Sequence, residues 1–173
     1  MDDVLLEIER AVRTLNEADV HYLIVGGVAV VLHGYLRATS DLDLVVELDP
    51  ANASRAAEAL AAAGYEPRVP VPMADFANPN ERVRWMNEKH MVVFTVLHPR
   101  FPRLEIDLFV EEPFDFEAAF ERSIEVPIRS QTARVIALDD LIALKRGSGR
   151  AVDLADVEAL EHIRDLDPER NDG

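Results

Sequence analysis

The chain has 173 residues, 33 acidic and 18 basic side chains for a formal charge of −15, and no cysteine. Its length suits one domain burying about 70% of its extended surface, and the lack of cysteine excludes disulfides and thiolate metal sites. The acidity disfavours nonspecific grip on a polyanion, because such binding works by phosphate neutralisation.

The N-terminal MDDVLLEIER is acidic and amphipathic, unlike a signal peptide. Leu5, Ile8, Val12 and Leu15 recur at helical spacing and predict a helix over 3–17 that closes one side of a sheet. An apolar strand over 21–25 stops at Gly26-Gly27, and a helical segment runs from 28 to 32. Glycines at a strand-to-helix junction let a bulky ligand approach the backbone, and the N–H groups opening a helix suit an anion, phosphate above all. His33 reads either as a C-terminal dipole partner or as a phosphate or substrate contact. The next strand, over 41–48, alternates, so Asp41 and Asp43 share one face while Leu42, Leu44 and Val46 point to a core. Two adjacent carboxylates suit a hard cation such as Mg2+.

Asp49-Pro50 opens an alanine-rich helix that ends at Gly64. The proline-rich stretch that follows reads as an extended loop and then a short helix over 79–88. There Arg82, Arg84 and Trp85 are either packing residues or a platform for a base or acceptor. Runs over 91–97 and 103–110, joined by His98-Pro-Arg-Phe-Pro, form a hairpin. In the second run Leu104, Ile106, Leu108 and Val110 share one face, and Glu105 and Asp107 share the other.

Acids on a wet strand face are ordinary. Facing carboxylates about 4 Å apart nevertheless repel by about 4 kcal/mol at an effective dielectric of 20, and a divalent cation removes that cost. A short helix follows Pro113, then brief strands over 126–128 and 134–136. A helix from 138 breaks at Gly147-Ser-Gly, and a last helix runs to about 164. Residues 1–165 form one domain and 166–173 a frayed tail.

Gly-Gly, a short helix and Asp-x-Asp together resemble the signature of the DNA polymerase beta nucleotidyltransferase superfamily. The form GGVAVVLHGYLRATSDLDL is similar to the abortive-infection type nucleotidyltransferases and their small relatives. The resemblance implies an α/β fold, with a small mixed β-sheet and helices mainly on one face. It assigns Asp41, Asp43 and Asp107 as catalytic residues and metal ligands for Mg2+ (or Mn2+). Gly26 and Gly27 would cradle the phosphates of an NTP, with Arg37 and Thr39 as supporting contacts.

Lys145, Arg150, Asp153 and Asp156 resemble the C-terminal pattern of the same group. Lys145 and Arg150 either bind triphosphate or are solvated cations beside a capping aspartate. The expected activity is transfer of a nucleoside monophosphate to an acceptor hydroxyl on a small molecule, a protein or an RNA end. A toxin-antitoxin or abortive-infection setting and a protein partner go with the resemblance. The alternatives are a catalytically silent nucleotide-binding or antitoxin-like module of the same fold, and a metal-dependent phosphodiesterase. No apolar run reaches the roughly 20 residues of a membrane span, so no membrane partner and a cytoplasmic location are expected.

Overall fold

The computed structural model describes residues 2–166. Its elements run α1 (Asp2–Glu17), β1 (Tyr22–Ile24), α2 (Gly26–Leu32), β2 (Asp41–Val46), α3 (Pro50–Ala62), β3 (Glu66–Pro67) and a 3-10 turn (Met73–Ala77). They continue α4 (Pro79–Lys89), β4 (Val93–His98), β5 (Phe101–Phe109), α5 (Phe116–Arg122), β6 (Ile124–Ile128), β7 (Gln131–Val135), α6 (Leu138–Ser148) and α7 (Ala151–Leu166). The seven strands among the described residues form one mixed sheet in the order β3-β4-β5-β2-β1-β7-β6. β2 runs parallel to β5 and β1 parallel to β7, and the other pairs are antiparallel.

The core sits on the face that the alternation assigns to it. Leu42, Leu44, Phe94, Val96, Ile106 and Leu108 are fully buried, clustered with Ile8, Val12 and Leu15 of α1 and Ala53, Ala56 and Leu60 of α3. Each such leucine, isoleucine or phenylalanine contributes about 1.5–3 kcal/mol of burial. On the opposite face Asp41 and Asp43 of β2, Val93 and Thr95 of β4 and Asp107 and Phe109 of β5 are only half-buried, which leaves room for a site. α3 begins as expected, with the Asp49 carboxylate accepting from the N–H groups of Ala51 and Asn52 at 3.1 Å and Pro50 in the first turn.

Several boundaries differ from expectation for identifiable reasons. β1 ends at Ile24 and α2 starts at Gly26 rather than 28, because the Val25 N–H still bonds the carbonyl of Asp43 at 2.9 Å and the left-handed φ of Gly26 then turns the chain out of the sheet. The proline-rich stretch contains the short β3, paired with β4, and the 3-10 turn. Trp85 is fully buried and stacked on Phe94, with ring centroids 5.0 Å apart, and Arg82 turns inward to donate to the carbonyl of Phe76 at 2.6 Å. These residues pack the fold rather than offer a platform.

His33 is buried and bonded through Nε2 to the carbonyl of Ile136 at 2.9 Å, so it ties the end of α2 to the segment that follows β7. Of the expected tail, Leu166 ends α7 and 167–173 lie outside the described residues. Among the described residues, no helix is long and apolar enough to cross a membrane.

Candidate active site

The parallel register of β2 on β5 sets Asp41 beside Glu105 and Asp43 beside Asp107, on the open face. Thr95, the cross-strand partner of Asp107 on β4, donates its hydroxyl to Asp107 Oδ1 at 2.6 Å. The Ser40 hydroxyl donates to Asp41 Oδ1 at 3.0 Å.

Above this face lies the turn into α2. Gly26 has φ +62°, and a Cβ there would overlap the Asp43 carboxylate. Only glycine leaves that carboxylate its place, both because left-handed φ is costly for other residues and because of the overlap. The Gly27 N–H lies close enough to Asp43 to favour its charged form. A Cβ on Gly27 would stand 2.6 Å from Thr39 Oγ1 and 2.8 Å from an Arg37 guanidinium nitrogen. Arg37 and Thr39 thus sit directly over the glycine turn.

Burial first, and then the neighbouring Asp107, push the Asp43 carboxyl up to about 6, against the pull of the Gly27 N–H. Asp107 is also raised, chiefly by burial, with the Thr95 hydroxyl pulling it down. Among the described residues, no three acidic or imidazole groups already form a metal cage. The all-oxygen donors of Asp41, Asp43 and Asp107 nonetheless fit a hard divalent ion. The raised carboxyls of Asp43 and Asp107 are the reason, because a cation would favour the charged form that burial and mutual repulsion disfavour.

The far wall comes from α6 and α7. Lys145 is buried, with Nζ 2.8 Å from both Asp153 Oδ1 and Asp156 Oδ2. Asp153 also accepts from Ser148 Oγ at 2.5 Å and Arg150 Nε at 2.6 Å. Burial opposes ionisation of Asp153, but its hydrogen bonds from Lys145, Ser148 and Arg150 outweigh this and hold it well below the usual carboxylate range. Asp156 pairs with Arg37 Nε at 3.1 Å. Lys145 therefore anchors two buried aspartates, one holding Arg150 and the other holding Arg37 over the glycine turn. The nine residues assigned from the sequence to catalysis, metal or nucleotide, namely Gly26, Gly27, Arg37, Thr39, Asp41, Asp43, Asp107, Lys145 and Arg150, line a single cavity of about 1160 Å³, and Asp156 stands behind it.

A family model described as "Nucleotidyltransferase of unknown function (DUF6036)" matches residues 3–170. The chain belongs to that family. A search of the curated proteins finds no match. Two solved structures share the fold of this nucleotidyltransferase. Lincomycin-bound LnuA, a lincosamide antibiotic adenylyltransferase, matches with a TM-score of 0.57 at 17% identity, over 94% of this chain and 97% of that one. An antigenic nucleotidyltransferase-like protein from Paracoccidioides brasiliensis matches with a TM-score of 0.61 at 16% identity, over 92% of this chain and 76% of that one. The superfamily resemblance and the mixed α/β fold are thereby borne out.

Within this nucleotidyltransferase, sequence reasoning missed Ser40, Thr95 and Ser148 at the site. Thr95 was recoverable only with the β4–β5 register in hand, since it stands opposite Asp107. Ser148 carried a weak signal as the polar residue of the Gly147-Ser-Gly break.

Proposed function

We propose that this nucleotidyltransferase moves a nucleoside monophosphate from an NTP to an acceptor hydroxyl, with Asp41, Asp43 and Asp107 as the catalytic carboxylates. One observation carries the reading: Asp43 and Asp107 stand side by side in parallel register beneath the Gly26–Gly27 turn, in the wall of one large cavity. The three aspartates would hold Mg2+ (or Mn2+), which when bound supplies phosphate-charge neutralisation and a lowered pKa for the acceptor hydroxyl.

The chain's own residues do the remaining work. Gly26 and Gly27 keep the mouth of α2 free of side chains, and Thr39 offers a hydroxyl beside it. Arg37 and Arg150 present their charge to the triphosphate from fixed positions. Asp156 and Asp153 hold them there, and Lys145 binds both aspartates, so less side-chain entropy is lost when nucleotide arrives. Because LnuA is an adenylyltransferase of an antibiotic, ATP is the first triphosphate to try and a small hydroxyl compound the first acceptor class.

Incubation of the protein in cell lysate with each α-labelled NTP and Mg2+ or Mn2+ tests the proposal. The expected result is label in a small-molecule, protein or RNA fraction that is lost with Asp43→Asn. Equal labelling by parent and Asp43→Asn would remove the catalytic assignment.

A further inference from the structure

The two ends of the cavity differ in chemistry. Its volume of about 1160 Å³ lies just above the roughly 300–1,000 Å³ of an ordinary small-molecule site, so one small ligand need not fill it. One end, before and at the start of β2, is Gly27, Arg37, Thr39 and Ser40. The register fixes the other end. Asp43 stands beside Asp107, so Phe109, two positions farther along β5, and its β4 partner Val93 lie beyond Asp107 on the side away from Thr39. Alternation puts both on the open face with Asp107. Val92 and Pro113, which flank β4 and β5 in the chain, and Phe114 beside Pro113 extend this apolar lining, and Val92 is 66% exposed.

Charge separates the ends further. Among the described residues, the basic side chains on the cavity are Arg37, Lys145 and Arg150, and each is paired with Asp153 or Asp156. None of them lies on the apolar lining around Phe109.

We infer that the apolar end is the acceptor subsite, and that it takes a hydroxyl-bearing small molecule with an apolar body and no net negative charge. The inference rests on the nucleotidyl-transfer reading and names its acceptor class. Wet apolar surface here favours an apolar ligand by about 25 cal/mol for each Å² removed from water. An anionic acceptor would instead meet Asp43 and Asp107, with Arg37 and Arg150 given to the triphosphate. In the transfer the acceptor oxygen bonds to the α-phosphorus as the bond to the β-phosphate oxygen breaks. Pyrophosphate leaves with that electron pair, and the hydroxyl proton is released to solvent.

Three probes with one body and different charge test this by saturation-transfer NMR on the full chain: 2-amino-1-phenylethanol, 1-phenylethanol and mandelate. The titrations are run with and without Mg2+ and a non-hydrolysable ATP analogue. We expect both alcohols to bind in either condition and mandelate to bind at least tenfold more weakly. Val92→Lys, at an exposed position, and Phe114→Ser should each weaken 1-phenylethanol at least fivefold and leave ATP-analogue affinity within twofold. A melting curve for each variant reports its folding.

Failure of both alcohols to bind, or equal binding of mandelate, overturns the inference. Displacement of the alcohols by the ATP analogue also overturns it, making the apolar end the nucleobase site. If the parent binds the alcohols and not the ATP analogue, the nucleotide reading fails separately.

Discussion

At Gly26 the backbone and the chemistry meet, because its φ of +62° and the Asp43 carboxylate beneath it both exclude a side chain. Gly26→Ala is expected to cost about 1–3 kcal/mol from backbone strain alone, and to move Asp43 away from Asp107. A thermal melt combined with an Mn2+ titration checks this, and an alanine variant matching the parent in both contradicts it. Asp43 itself sets a pH dependence. Its carboxyl is raised to about 6 in the fold, above the ordinary aspartate value of about 3.9, so the neutral form is favoured by folding. The stability it contributes is therefore present below about pH 4 and is lost as pH rises through about 6. Without metal, Asp43→Asn should gain in melting temperature relative to the parent as pH rises from 4 to 7. A difference that stays flat with pH would mean that Asp43 is not desolvated. The glycines and aspartates were legible as residues because glycine at a strand end and acids in a period of two each have a local physical cause. The contact between Gly26 and Asp43 was not, because it depends on how a turn folds over a strand.

At the scale of elements, α6 and α7 are joined by a buried ion cluster rather than by apolar packing alone. Removing one partner from such a cluster costs about 3–5 kcal/mol, because the charge left behind is buried without compensation. Lys145→Met should therefore destabilise the protein by about that amount in denaturant unfolding, and should release both Arg37 and Arg150. A loss under about 1 kcal/mol would show that Asp153 and Asp156 do not depend on Lys145. The sequence offered Lys145 and Arg150 as alternatives between triphosphate ligands and solvated cations. Burial of Lys145 between two aspartates is an arrangement that spacing along the chain does not encode. Amphipathic helices such as α1 were readable from their period and α3 from its cap, since both signals are local. β3 and the 3-10 turn were not, because a two-residue strand is defined by its partner, here Leu97 and Val96.

Across the whole molecule the field is acidic, with a formal charge of −15, and the cations on the cavity are paired with aspartates. Each phosphate neutralised by a protein steepens the salt dependence of binding by about 0.7–0.9 in log units. Full-length tRNA is accordingly expected to bind weakly, with a slope equivalent to about three contacts or fewer. A slope of about six or more with micromolar affinity at physiological salt would make an RNA end the acceptor. The same field leaves a metal-bound triphosphate as the anion the site can accept, because its counter-ions arrive with it. The direct measurement is calorimetry of an ATP analogue with Mn2+ on the parent, Asp43→Asn and Asp107→Asn. The account predicts binding by the parent and at least a tenfold loss in both variants; equal affinity in all three would show that the paired aspartates are a wet sheet face and not a catalytic centre.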